Sequence, residues 1–385
     1  MIFTSDNASG AAPEILAAIS EAEAGYAMPY GNDPVTERAI AKVRDVFEAP
    51  EAGVYFVATG TAANALALAC LCPPWSTIYC HRSAHIEEDE CGAPEFFTGG
   101  AKLTLLDGDD AKMTAAGLEA AVTGAAPRGV QNVQSGALSL TQATEAGAAY
   151  SLEEVRKLAA IARNNGLPVH MDGTRLANAI ARQGVSPAEM TWKAGIDVLC
   201  LGATKNGVLG AEAVIIFDPD RAWEFELRRK RGGHLFSKMR FLSAQIDAYL
   251  TDDLWLRMAG HANTLADRLA AGINAATGAR VTNTIGANIL FPEITLVQHK
   301  SLQAAGAGYY PMTSFDPEGP DNQLITIRLV TSFRSTEEGV DEFLEALNSY
   351  RLTALTRASN LSFEEATTKP NGSCGPLGHT STLHE

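Results

Sequence analysis

The chain has no uninterrupted apolar run of about 18 residues, so no membrane-spanning helix is expected. Neither GxGxxG nor the GxxxxGKS/T pattern occurs, which removes the usual dinucleotide fingerprint and the P-loop. None of the six cysteines forms a CxxC pair, so zinc ribbons and thioredoxin-like sites have no support. Basic residues are scarce. Lys plus Arg is 30 against 45 for Asp plus Glu, and the net charge of −15 disfavours partners such as nucleic acid or an anionic membrane. Charged residues are only 19% against 46% hydrophobic, which excludes a wholly disordered chain. The opening residues Met1 to Asn7 carry neither the basic nor the apolar region of a secretory signal. The expectation is a cytoplasmic protein whose cysteines, mostly in apolar contexts such as Ala69-Cys70-Leu71-Cys72, are buried free thiols.

What is present is a regular alternation. Val54 to Val57, Ile78 to Cys80, Leu103 to Leu106, Ala137 to Thr141, Pro168 to Met171, Val198 to Leu201 and Ala213 to Ile216 read as short buried strands. Helical stretches separate most of them. One is Ala/Leu-rich (Thr61 to Leu71), and another opens on the capping box Ser151-Leu152-Glu153-Glu154 and stops at Gly166. This spacing predicts an α/β fold with a mostly parallel seven-stranded sheet covered on both faces. After about residue 250 the pattern changes to long helices (Asp252 to Thr277, Ser335 to Tyr350) around three short strands, which predicts a smaller α+β domain. The expected division is residues 1–250 for the large domain, 251–352 for the small one and 353–385 for a polar, disordered tail.

In an open parallel sheet, ligands bind beyond the carboxyl ends of the strands. Three strand ends stand out. Gly60-Thr61 opens a helix, where free backbone N–H groups and the helix dipole suit a phosphate; a plain helix cap fits the same residues. Asp172, in Asp172-Gly173-Thr174-Arg175, either points into the crevice or caps the next helix. Lys205, hemmed by small residues in Gly202-Ala203-Thr204-Lys205-Asn206-Gly207, could have a lowered pKa and form a Schiff base. Together they meet the demands of pyridoxal 5'-phosphate: a phosphate cradle, an acid for the pyridine nitrogen and a lysine for the aldehyde. His85, after the second strand, could lie over the ring. No metal site is expected.

At these residues the chain resembles the threonine aldolases among the fold-type I pyridoxal-phosphate enzymes. It looks most similar to the bacterial low-specificity or phenylserine aldolase branch. The matching stretches are Ser5-Asp6-Asn7, Tyr30-Gly31-Asn32-Asp33, Gly60 to Asn64, His85 with Asp89 to Phe97, and Thr141 to Glu145. They continue through His170 to Gly173, Thr191 to Cys200, Thr204 to Gly207 and Ser237 to Ser243. They keep order and spacing over residues 3 to 350.

The resemblance implies that Lys205 carries the cofactor, Asp172 faces its ring nitrogen, Gly60 and Thr61 bind its phosphate and His85 stacks on it. Ser5, Arg175 and Arg328 would then hold the substrate carboxylate. The implied reaction is retro-aldol cleavage of an L-β-hydroxy-α-amino acid (threonine, allo-threonine or phenylserine type) to glycine and an aldehyde. Racemisation, β-elimination and transamination use the same lysine and aspartate and stay open as alternatives, and a non-catalytic scaffold stands outside that set. His85, directly or through water, is the candidate base for the β-hydroxyl. Glu145 stands where many relatives have a histidine, and Asp89 where others have an aromatic residue. The family also implies a homodimer or homotetramer with active sites at the dimer interface. Arg240 and Arg228 to Arg231 would lie near a neighbouring subunit or form an exposed basic face.

Overall fold

The structure is a computed structural model of the chain, and it describes residues 1–125, 129–314 and 316–349. The expected tail over 353–385 lies outside the described residues. Seven strands build the large sheet: β1 (Gly53–Val57), β2 (Ser76–His81), β3 (Lys102–Leu106), β4 (Gln134–Thr141), β5 (Val169–Gly173), β6 (Val198–Leu201) and β7 (Glu212–Ile216). Their order is β1-β7-β6-β5-β4-β2-β3. All neighbours run parallel except β7, which is antiparallel to both β1 and β6. The central strands are buried on both faces, which is why they read as continuous apolar runs.

Helices cover the sheet on both sides. Gly60–Leu71 is buried from Ala62 onward, so it shows no polar stripe. Leu152–Asn164 begins at the expected capping box: Ser151 Oγ accepts from Glu154 N, and Glu154 Oε2 accepts from Ser151 N. It is followed by Gly166 in the left-handed region.

A smaller sheet follows the 22-residue helix Leu254–Ala275. It carries five short strands where the sequence pattern predicts three: β8 (Arg280–Val281), β9 (Ile289–Leu290), β10 (Pro292–Thr295), β11 (Tyr310–Pro311) and β12 (Leu324–Val330). The order is β11-β12-β10-β8, with β9 pairing β12. Residues 337–349 are helical. Arg280–Val281 and Pro292–Thr295 are too short and too polar to show a period-2 signal.

The N-terminus belongs to this second core. Phe3 packs with Leu290, Ile327 and Phe343, and its ring meets Phe343 edge-on at 5.5 Å. Its backbone N donates to Gly308 O at 2.7 Å, and its carbonyl accepts from Val330 N at 2.9 Å. Phe3 thus packs beside the smaller sheet, while Asp6 reaches Arg175 just after β5.

Candidate active site

The carboxyl ends of β1, β5 and β6 face a common cavity of about 260 Å³. Its walls include Asn7, Gly60, Thr61, Asn64, His85, Thr174, Thr204, Lys205 and Glu212. Thr59 caps the helix that opens after β1, its hydroxyl accepting from Ala62 N. The first helical bond runs from Ala63 N to Thr59 O, so the Gly60 and Thr61 amides stand outside the helical ladder. A Cβ on Gly60 would meet only Thr174 Oγ1, at 4.0 Å, so this glycine keeps the helix start open.

Asp172, the penultimate residue of β5, is buried. Its Oδ1 accepts from Thr174 N at 3.0 Å and Thr174 Oγ1 at 2.7 Å, and its Oδ2 from Asn64 Nδ2 at 3.0 Å. Burial alone would raise this acid. The Thr174 hydroxyl bond and the nearby His85 and His170 outweigh burial and hold it below the usual carboxylate range.

Lys205 sits on the turn after β6. Burial, then the Arg175 charge, pull its amine below the ordinary lysine range. Glu212 starts β7, opposite Val57, and accepts from Ala203 N at 2.6 Å, which braces the Lys205 turn. Burial pushes its carboxyl up to about 7.

His85 begins the short helix His85–Glu88 and bonds Glu90 Oε1 through Nδ1 at 2.8 Å. That bond, with help from Asp172, holds the imidazole above its ordinary pKa. Glu90 is itself raised by burial. His85, Glu90 and Asp172 bring one nitrogen and two carboxylates within 4.8 Å of one another. Hydrogen bonds already occupy His85 Nδ1, Glu90 Oε1 and Asp172 Oδ2.

The expected carboxylate-binding residues differ in placement. Arg175 is buried and gives its Nε–Nη2 edge to Asp6. Burial pulls it down, but Asp6, Glu145 and Asp172 together hold it above its ordinary value. Arg328 lies on β12 opposite Tyr310, lowered first by burial and then by Arg175. Glu145 acts electrostatically on Arg175, Lys205 and Arg328. The Ser5 hydroxyl accepts from Asn7 N, and Asn7 rather than Ser5 stands on the cavity wall. Asp89 is exposed at the end of the His85 helix. Arg240 donates to Ala22 O, while Arg229 is buried between Glu226 and the Tyr55 ring. Neither arginine lines the cavity.

Asp6, Asn64, Glu90, Thr174 and Glu212 were not singled out from the sequence. Asn64 left a trace, as the lone amide in an Ala/Leu helix. Glu212 lies one residue before the expected strand Ala213 to Ile216 and belongs to no motif. The partners of Asp6 and Glu90 are set by the fold.

A mostly parallel α/β sheet with a depressed lysine, a buried ionised aspartate and an open helix start at its strand ends defines a fold-type I pyridoxal-phosphate enzyme. The profile of the beta-eliminating lyase family matches residues 3–293. The chain belongs to that family, on its threonine aldolase branch. It is 42% identical over 308 residues to a low specificity L-threonine aldolase of Pseudomonas aeruginosa, covering 80% of this chain and 88% of the relative. A second such aldolase, from another Pseudomonas, is 41% identical over 309 residues, with the same shares of the two chains covered. A threonine aldolase structure from Leishmania major superposes with a TM-score of 0.82 at 27% identity, covering 90% of this chain and 98% of that one. Among the described residues, no helix is long and apolar enough to cross a membrane.

Proposed function

We propose that the chain splits L-β-hydroxy-α-amino acids of the threonine, allo-threonine and phenylserine type into glycine and an aldehyde, with pyridoxal phosphate as cofactor. One observation carries this reading. A depressed lysine amine, an ionised buried aspartate and an open helix start line or adjoin a single cavity. These donors suit the cofactor: an amine for its aldehyde, an anion for its ring nitrogen and backbone N–H groups for its phosphate. When bound, pyridoxal phosphate supplies an electron sink for the pair released as the Cα–Cβ bond breaks.

The protein groups divide the remaining work. Lys205 would hold the cofactor, and its lowered pKa keeps more of the amine neutral and nucleophilic. Asp172, below the usual range, would keep a proton on the nitrogen facing it. Gly60 and Thr61 would take the phosphate. Arg175 has one guanidinium edge spent on Asp6, so its remaining edge would meet the substrate carboxylate, with Arg328 as the second cation. Ser5 is proposed as a further, weaker carboxylate contact. His85 would accept the β-hydroxyl proton through Nε2, since Nδ1 is engaged with Glu90.

The test is a panel of β-hydroxy amino acids of both configurations, assayed for products. Glycine with acetaldehyde or benzaldehyde supports the aldolase. Pyruvate and ammonia from serine, without glycine, would instead support β-elimination, and loss of optical activity alone would support racemisation.

We also propose a cytoplasmic homodimer or homotetramer with active sites at the dimer interface. An exposed apolar patch supports self-association. Met28, Tyr30 and Phe236 are all partly or largely exposed, and Tyr30 N is tied to Ser237 O. Light scattering would read the mass directly.

A further inference from the structure

Behind the cavity wall, against His85 and Asn64, lies a buried acid that the cofactor does not require. The Glu90 side chain is fully enclosed, yet it is a middle link of a hydrogen-bonded chain that runs from His85 to Asp172. His85 Nδ1 meets Glu90 Oε1 at 2.8 Å, and Asn64 Nδ2 donates to the same oxygen at 2.9 Å. That amide nitrogen also donates to Asp172 Oδ2 at 3.0 Å. An Asn amide has two hydrogens, so each carboxylate receives one. The reverse orientation would set the Asn64 oxygen against two carboxylates, so the direction of the chain is forced. It links three separate elements: the turn after β2, the helix after β1 and the end of β5.

An acceptor facing Nδ1 leaves only one neutral tautomer of His85. The proton stays on Nδ1, and Nε2 keeps its lone pair. A base working through Nε2 needs that form. We propose that Glu90 is a positioning residue that fixes the Nδ1–H tautomer and the charge of His85, and that Asn64 ties it to Asp172 so that both carboxylates share one donor. This inference rests on the reading of His85 as the group that accepts the β-hydroxyl proton.

The groups that act on His85 come from every side. Glu90 and Asp172 favour the imidazolium, whereas Lys205 and burial oppose it. Removing the Glu90 charge leaves the opposing pair less balanced. The imidazole then releases its proton at lower pH, and the active base form appears at lower pH.

Glu90→Gln tests this with little change of shape. The Gln oxygen can still accept from both Asn64 and His85, so charge is lost while the contacts remain. In the holoenzyme, the His85 ring is followed by NMR across pH, its signal assigned by its absence in His85→Asn. The expected result is a His85 midpoint lower by about one pH unit in Glu90→Gln. The acid limb of kcat/KM should move the same way. Identical midpoints in the two proteins would overturn the proposal. If Glu90→Gln does not fold, the wild-type protein decides alone: above the midpoint, 15N shifts must report the Nδ1–H tautomer, and an Nε2–H tautomer overturns it. Failure of the aldolase reading looks different. It appears as absence of glycine from wild-type enzyme, whatever the His85 titration does.

Discussion

Asp6 grips Arg175 along one edge of its guanidinium, with Nε at 2.9 Å from Oδ2 and Nη2 at 3.1 Å from Oδ1, and both side chains are buried. Burial would raise Asp6, but Arg175, then Lys205 and Asn288, hold it below the usual range. The ion pair therefore orients the arginine while using two of its five N–H donors.

Asp6→Asn keeps the size and removes the charge. A buried arginine left without its partner anion costs about 3–5 kcal/mol. The variant should unfold at lower denaturant and show a raised KM for the amino acid. A wild-type unfolding midpoint would refute the role given to Asp6.

Lys205→Ala should remove covalent cofactor attachment. After borohydride treatment, intact-mass measurement should find the cofactor on the wild-type chain and none on the variant. An adduct retained at the site of the variant would move the assignment to another amine.

Arg328→Lys separates charge from geometry. The lysine keeps one positive charge but loses the planar fork that matches a carboxylate. KM for threonine-type substrates should rise about tenfold or more, as expected for a loss of about 1.4 kcal/mol of binding. An unchanged KM would take Arg328 out of the carboxylate site.

Glu212 gives a pH prediction. Folded, its carboxyl titrates at about 7; unfolded, it returns to the ordinary value near 4.5. Between those values the folded chain holds a proton that the unfolded chain has lost. Its contribution is therefore fully present below about pH 4.5 and fades as pH rises through 7. Glu212→Gln removes that slope. Between pH 5 and pH 8, wild type should lose about 2–3 kcal/mol more stability than the variant in urea unfolding. Parallel losses in the two proteins would show that Glu212 is ionised throughout.

The strands of the large sheet were legible because both faces are covered, so each reads as an apolar run between turn residues. Their ends then pointed to Gly60, Asp172 and Lys205, since the chemistry of this fold gathers there. The antiparallel run of β7 was not legible, because strand direction depends on partners far along the chain. The same limit hid Asp6, whose partner lies 169 residues away. Glu90 read as one of several acids in a polar turn, and only packing reveals that it is enclosed against His85 and Asn64.

The first residues have a consequence for the order of events. Phe3 is stitched in beside the smaller sheet between Gly308 and Val330, and three residues later Asp6 holds Arg175 just after β5. Arg328 lies on the strand that ends at Val330. A substrate carboxylate caught between Arg175 and Arg328 would act as a bolt across the seam between the two sheets. Glycine keeps that carboxylate after cleavage, and the aldehyde has none. The aldehyde is therefore expected to depart while the bolt is still home, with glycine leaving last. Glycine should then compete with the amino acid substrate in product-inhibition kinetics, and the aldehyde should not.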